Sequence, residues 1–295
     1  MNKLKINNFN LTYSTEGEGS DVILLHGFPS DIFFWQKIKT KLKKNFRVTS
    51  VEQRGYPLSK LNNPTIDMFN IDNLSNDIET LIEINGLDKN TILVGHDWGS
   101  IVAWAVVSRQ KVKISKLVSI CGGTEFPHSD IYDELNYSGN NHYISSFQDP
   151  KSSSKFLTQN LDKFFRSSYR LVKNNITHPD LSLNSLFFKY KNNDLIHNVD
   201  IERMVNSFYN DLYQPISWYA NINNNIMLSN EWRRVIEIPV DFLFGGLDTA
   251  VKFNSKMESR LKKSGKNVNI KLVSDADHWL PLTHEESVIE RIKNI

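Results

Sequence analysis

A mostly parallel α/β sheet with helices on both faces, interrupted by a helical insertion, is the fold class that this 295-residue sequence predicts. Three observations carry that expectation. Short β-branched runs alternate with helix-like stretches through the first half. Residues 126–234 are helical or irregular, rich in Asn and aromatics, without convincing strand signals. Strand signals then return at Pro239–Phe244 and Val268–Val273. One core split by an inserted unit explains this order more simply than two consecutive domains. The expected division is 1–125 core, 126–234 helical cap, 235–295 core.

Val22–Leu25, Phe46–Val51 and Thr91–Val94 are β-branched-rich and run into polar or glycine-bearing loops, as buried strands do. Between the second and third, Ile71–Asn85 sets Leu74, Ile78, Leu81 and Ile82 at helical spacing on one face. An apolar helix begins near Ser100, and Lys116–Ile120 reads as the next strand. Strand, helix, strand, helix in this order implies parallel pairing with both faces covered. SSSKF, VKNNI and NINNNI read as helix ends or exposed loops.

Composition narrows the function classes. Lys and Arg number 35 against 33 Asp and Glu, a formal charge of +2, which gives no basic excess for a nucleic acid partner. The single cysteine, Cys121, excludes an internal disulfide and a Cys-ligated metal cluster. The longest apolar run, Ile101–Val107, is far short of the ~20 residues needed to span a bilayer. The first residues, MNKLKINNFNLTYS, lack the apolar stretch of a secretory signal. A cytoplasmic protein without membrane attachment is expected.

The most informative segment is Thr91–Val107, TILVGHDWGSIVAWAVV. A strand enters Gly95-His96-Asp97-Trp98-Gly99 and passes directly into a helix. Glycines two residues either side of Asp97 permit a very tight strand-to-helix turn that holds its side chain clear of the sheet, beside the helix N-terminus. Serine is the usual occupant of such an elbow. A carboxylate there needs no base to activate it and can attack carbon directly. An isolated GxDxG would more simply be a helix-capping Asp; the strand before and the apolar helix after argue against that reading. Upstream, Leu25-His26-Gly27-Phe28-Pro29 follows the first strong strand. Its loop can aim the Phe28 amide at developing negative charge, with the Trp98 amide as second donor of an oxyanion hole. His26 reads as structural, and Trp35 as packing under the loop.

HGFP followed by Trp35, then GHDWG, resembles the epoxide hydrolases of the α/β-hydrolase superfamily, and the resemblance spans nearly the whole chain. It implies an α/β-hydrolase fold with an inserted α-helical cap. Gln53-Arg54-Gly55-Tyr56 occupies the family's loop after the second core strand, with Glu52 where Asp is usual and Pro57 where Gly is usual. Asp248 follows a strand in Phe244–Asp248, and His278 stands in Asp275–Trp279 after the last strand. The order nucleophile, acid, base matches that of α/β-hydrolases. By that match His278 is the base and Asp248 orients it, while Asp275, Asp277 and His284 read as structural or solvent-facing. Tyr143, four residues before Phe147-Gln148-Asp149-Pro150, and Tyr219, in Gln214–Tyr219, stand in settings that resemble the two lid tyrosines of epoxide hydrolases. Phe28, Trp98, Phe147 and Trp218 are expected to line an apolar substrate pocket.

The resemblance implies a two-step hydrolysis of a small hydrophobic epoxide to a vicinal diol, through an ester on Asp97 broken by His278-activated water, with no metal or organic cofactor. The nearest rival is a haloalkane or haloacid dehalogenase with the same Asp nucleophile. Haloalkane enzymes usually carry Asn at the position of Phe28, and fluoroacetate enzymes Arg after the nucleophile, and paired tyrosines suit an alkoxide better than a halide. A non-catalytic ligand binder would need no triad, and a serine esterase would need serine in the elbow.

Overall fold

The computed structural model describes residues 1–87, 90–123, 142–170, 182–183, 196, 199–250 and 253–294. Its eight-stranded sheet has the order β1-β2-β4-β3-β5-β6-β7-β8. β1 (Asn2–Ile6) and β2 (Phe9–Glu16) form an antiparallel hairpin, and β2 pairs antiparallel with β4 (Phe46–Glu52). From β4 onward pairing is parallel through β3 (Ser20–Leu25), β5 (Ile92–His96), β6 (Lys116–Ile120), β7 (Val240–Gly245) and β8 (Val268–Val273). The sheet is mostly parallel, as expected, but the leading hairpin was not anticipated. Its strands alternate polar and apolar residues instead of running continuously apolar. Leu4 and Ile6 face Leu11 and Phe9 across Asn7, which turns the chain with a positive φ of 50°.

The strand order reverses direction at β3, with β4 on one side and β5 on the other, and at such a switch point the loops leaving adjacent strands open a crevice. Leu25 pairs in register with Gly95, so the loop after β3 and the elbow after β5 start side by side. The helix α1 (Gln36–Leu42) follows β3, and α2 (Ile71–Ile84) follows β4. α2 buries Ile71, Leu74, Ile78, Leu81 and Ile82, and Asn70 caps it by accepting from the Asn73 amide at 2.9 Å. α3 (Trp98–Arg109) begins two residues earlier than the sequence suggests and is buried almost all round, which explains its unbroken apolar run. In the loop after β4, Arg54 grips Asp77 of α2 through two contacts of 2.6 Å.

Among the described residues between β6 and β7 the regular elements are all helical: α4 (Tyr143–Ser146), α5 (Pro150–Thr158), α6 (Leu161–Ser168), α7 (Ile201–Phe208), α8 (Tyr213–Ala220) and α9 (Ile222–Trp232). The expected start of the insertion at residue 126 lies outside the described residues. These helices seal onto the sheet through buried polar clamps. Gln214 exchanges two hydrogen bonds with the Leu61 backbone at 2.9 and 3.0 Å, and the Trp218 indole donates to the Arg54 carbonyl at 3.1 Å. Past β7 come α10 (Ser255–Ser264), then, after β8, α11 (Leu280–Thr283) and α12 (Glu285–Lys293). Among the described residues no helix is long and apolar enough to cross a membrane.

Candidate active site

Asp97 occupies the turn between β5 and α3 with φ 54° and ψ −123°, a conformation that a non-glycine residue holds only when its surroundings impose it. Its carbonyl starts the helix, accepting from Ser100 at 2.9 Å and Ile101 at 3.2 Å. The bend is this tight because α3 crosses directly over β3. A Cβ on Gly99 would lie 2.3 Å from the Leu25 carbonyl oxygen, so no side chain fits there.

The turn delivers the carboxylate to the loop after β3. The Phe28 amide donates to Asp97 Oδ1 at 2.8 Å, and the Trp98 amide is a second donor to the same carboxylate. Both expected oxyanion donors therefore converge on Asp97. Burial raises the Asp97 pKa, while the His278 charge and these two amides act in the opposite direction. Gly27 leaves room for this approach: a Cβ there would meet Asp97 Oδ1 at 2.3 Å. Gly27→Ala should therefore push the carboxylate aside and lower kcat/KM by about 100-fold. Steady-state kinetics beside a melting curve would separate that displacement from unfolding.

His278, five residues beyond β8, faces Asp97 from the other side of the crevice. Its Nε2 lies 3.6 Å from Asp97 Oδ2, and its Nδ1 lies 2.8 Å from Asp248 Oδ2. Asp248, three residues beyond β7, also accepts from the Ala250 amide at 2.8 Å. Burial by itself pulls the His278 pKa down, but the charge and hydrogen bond of Asp248, with Asp97 behind, lift it to about 9. The imidazole thus lies between two carboxyl groups that both favour its charged form. His96 braces the same loop, its Nε2 lying 2.8 Å from the His278 carbonyl oxygen.

The helical layer closes the crevice. Asp97 and His278 face a cavity of about 110 Å³ lined chiefly by Phe28, Tyr143, Phe147, Phe164, Tyr219 and Trp279. The Tyr143 and Tyr219 rings lie 6.2 Å apart, and Gln148 ties their segments together by donating to the Ile144 and Tyr219 carbonyls at 3.2 and 2.8 Å. Burial raises both phenol pKa values, with the Asp97 charge adding to it, so both stay protonated donors at neutral pH.

Two of the aromatic residues expected to line the pocket do not. Trp218 precedes Tyr219 on α8, and neighbours on a helix point about 100° apart. With Tyr219 at the cavity, Trp218 turns into the core, edge-on to Tyr56 and Trp98. Trp98 offers its amide to Asp97, but its side chain hydrogen-bonds the Tyr219 phenol and does not reach the cavity wall. Of the two readings of Asp277, structural or solvent-facing, the structural one fits its place: it is buried at the cavity, where its Oδ1 accepts from the Trp279 amide at 2.9 Å. His284 and Asp275 do pair near the surface at 3.4 Å. His26 is enclosed, with its ring between the Gly27 carbonyl and the Gln53 amide and its pKa lowered by burial to about 4. Glu52, at the position where Asp is usual, accepts from the Ile32 and Leu58 amides at 2.7 and 3.2 Å, so it shapes the loops around the crevice. Phe164 and Trp279 escaped the sequence reading; only Trp279 carried a signal, its place beside the histidine.

A protein-family profile described as alpha/beta hydrolase fold matches residues 22–285, and the chain belongs to that family. Among its relatives, epoxide hydrolase 1 of Caenorhabditis elegans is 26% identical over 98% of this chain and 68% of its own length. The bifunctional epoxide hydrolase 2 of Sus scrofa is 25% identical over 89% of this chain, which spans about half of that longer protein (49%). A solved structure of a Vigna radiata epoxide hydrolase mutant superposes with a TM-score of 0.85 at 21% identity, covering 99% of this chain and 96% of the other. Potato (Solanum tuberosum) epoxide hydrolase I gives a TM-score of 0.81 at 20% identity, with coverage of 99% and 97%. At those identities the structural likeness speaks for the fold.

Proposed function

We propose that this chain hydrolyses small epoxides to vicinal diols through an ester on Asp97. One observation carries the reading: a carboxylate whose Oδ1 is held by the Phe28 amide and whose Oδ2 faces His278 opens onto an apolar cavity lined by two phenols. The relatives named as epoxide hydrolases support it.

In the first step Asp97 attacks a ring carbon, the carbon–oxygen bond of the ring breaks, and an ester bond forms. Tyr143 and Tyr219 hydrogen-bond the ring oxygen, and one phenol passes it a proton as it becomes an alcohol; solvent restores the phenol. In the second step His278, its resting proton lost to solvent once esterification removes the Asp97 charge, and oriented by Asp248, takes a proton from water. The resulting hydroxide adds to the ester carbonyl, and the Phe28 and Trp98 amides stabilise the oxyanion, each worth about 3–4 kcal/mol. Collapse expels the substrate-bound ester oxygen, which takes the proton from His278 and leaves as the diol, and the Asp97 carboxyl gives its proton to solvent and returns as a carboxylate. The helices between β6 and β7 act as the cap that supplies both phenols and excludes water. The cavity is of the order of one that holds a single small aromatic ring, which favours compact substrates. The lone buried thiol suits a reducing compartment, and a cytoplasmic enzyme is part of this reading.

Removing either phenol leaves one donor on the ring oxygen. Tyr143→Phe and Tyr219→Phe should each lower the rate of ester formation by about 100-fold, and the double variant by more. Stopped-flow tryptophan fluorescence under single-turnover conditions would measure it. The function is tested by offering styrene-type, aliphatic and fatty-acid epoxides beside chloroacetate and a bromoalkane. Diol from the epoxides supports the proposal. Faster halide release from the controls would favour the dehalogenase, for which the Trp98 indole would first have to leave Tyr219.

A further inference from the structure

Tyr169 touches neither Asp97 nor His278, yet it joins the loops that carry their partners. It follows α6 directly, is almost wholly buried, and is held in the cap by its amide on the Phe165 carbonyl at 3.0 Å and by the Ile196 amide on its own carbonyl at 2.9 Å. Its hydroxyl reaches out of the cap and donates to the Pro29 carbonyl at 2.8 Å, with the Ser30 side chain as a further partner. Its ring stacks on Trp279 with centroids 4.2 Å apart and planes 23° apart, and the Trp279 indole donates to the Ser168 carbonyl at 2.6 Å.

These contacts sit one residue from each half of the chemistry. Pro29 follows Phe28, whose amide holds Asp97 Oδ1, and Trp279 follows His278. The Gly27–Ser30 turn closes through the Ser30 amide and hydroxyl on the Gly27 carbonyl at 3.2 and 2.9 Å, so an anchor on Pro29 fixes how the Phe28 amide is aimed. From this geometry we infer that Tyr169 is a positioning residue of the cap that aligns the oxyanion loop for hydrolysis of the Asp97 ester.

The inference rests on the ester route proposed above and predicts which half-reaction depends on Tyr169. Ring opening places charge on the epoxide oxygen, held by Tyr143 and Tyr219. Ester hydrolysis places it at the amides of Phe28 and Trp98. Tyr169→Phe keeps the stack on Trp279 and removes the hydroxyl's anchor on Pro29 together with its contact to Ser30. The loop stays attached to the cap meanwhile, because Arg203 of α7 still grips Asp31.

The test is rapid-mixing kinetics on the full chain with a chromogenic styrene-type epoxide, resolving ester formation from ester breakdown. In Tyr169→Phe, breakdown should slow roughly tenfold, short of the ~100-fold expected from deleting an oxyanion donor. Formation should change by less than about twofold. Where breakdown limits turnover, kcat and KM should fall together and kcat/KM should hold. A loss confined to stability, or formation slowed as much as breakdown, would overturn the inference. Tyr169→Leu, which also removes the stack beside His278, should slow breakdown further at unchanged formation; equal breakdown rates in Tyr169→Leu and wild type would overturn the inference as well. A wild-type chain that opens epoxides without forming any ester would bring down the underlying mechanism, whereas a wild-type ester that breaks down equally fast in Tyr169→Phe sinks the inference alone.

Discussion

Asp97→Asn should abolish diol formation, lowering turnover by at least about four orders of magnitude, because an amide retains the shape of the carboxylate and lacks its nucleophilic charge. The expected loss is chemical, not architectural. The side-chain oxygen can still accept from the Phe28 amide, as Oδ1 does at 2.8 Å, and the backbone of the elbow is unchanged. Melting temperature should stay within about 5 °C of wild type. Ligand binding should persist, so a non-hydrolysable amide or diol should still quench Trp279 in the cavity wall. Diol production at wild-type rate in this variant would instead mean that water attacks the epoxide directly.

The second large effect is expected at His278. His278→Gln should form the ester and then stall, with breakdown slowed by about 100- to 10,000-fold. Intact-protein mass spectrometry would show the chain gaining the mass of one substrate molecule. The pH behaviour follows from the two carboxylates around the imidazole. In the resting chain the His278 pKa is lifted to about 9, and Asp97 supplies part of that lift. Esterification removes the Asp97 charge, so the pKa falls and the ring can take a proton from water. Ester breakdown in wild type should therefore rise with pH through an apparent pKa below about 9 and lose that dependence in His278→Gln. For stability the sign is the reverse. A folded-state pKa raised from 6.5 to about 9 contributes stability that is complete below about pH 6.5 and is lost as pH rises through about 9. Thermal melts across pH 7–9 should decline less steeply in the variant than in wild type.

What could be read from the sequence was whatever a strand end determines. Asp97, Asp248 and His278 each follow β5, β7 and β8 within a few residues, and parallel strands leave all such loops on one edge of the sheet. The glycines around Asp97 are legible for the same reason, since backbone crowding at a strand-to-helix turn forbids side chains. Orientation within the helical layer was not legible. Trp218 and Tyr219 are neighbours of similar bulk, and only the docking of α8 against Arg54 and Tyr56 decides which faces the cavity. The β1–β2 hairpin was hidden by a half-polar pattern, weaker than the apolar runs of the central strands. Phe164 and Tyr169 gain their places through contacts with loops over a hundred residues distant, which local spacing does not encode.

The ester route carries an oxygen atom of Asp97 into the product. A single turnover in water enriched in heavy oxygen, with enzyme in excess over epoxide, tests this. Peptide mass spectrometry should then find one heavy oxygen in the peptide carrying Asp97, and the diol formed should carry none. Heavy oxygen in the diol of that first turnover, with an unlabelled Asp97, would contradict the account.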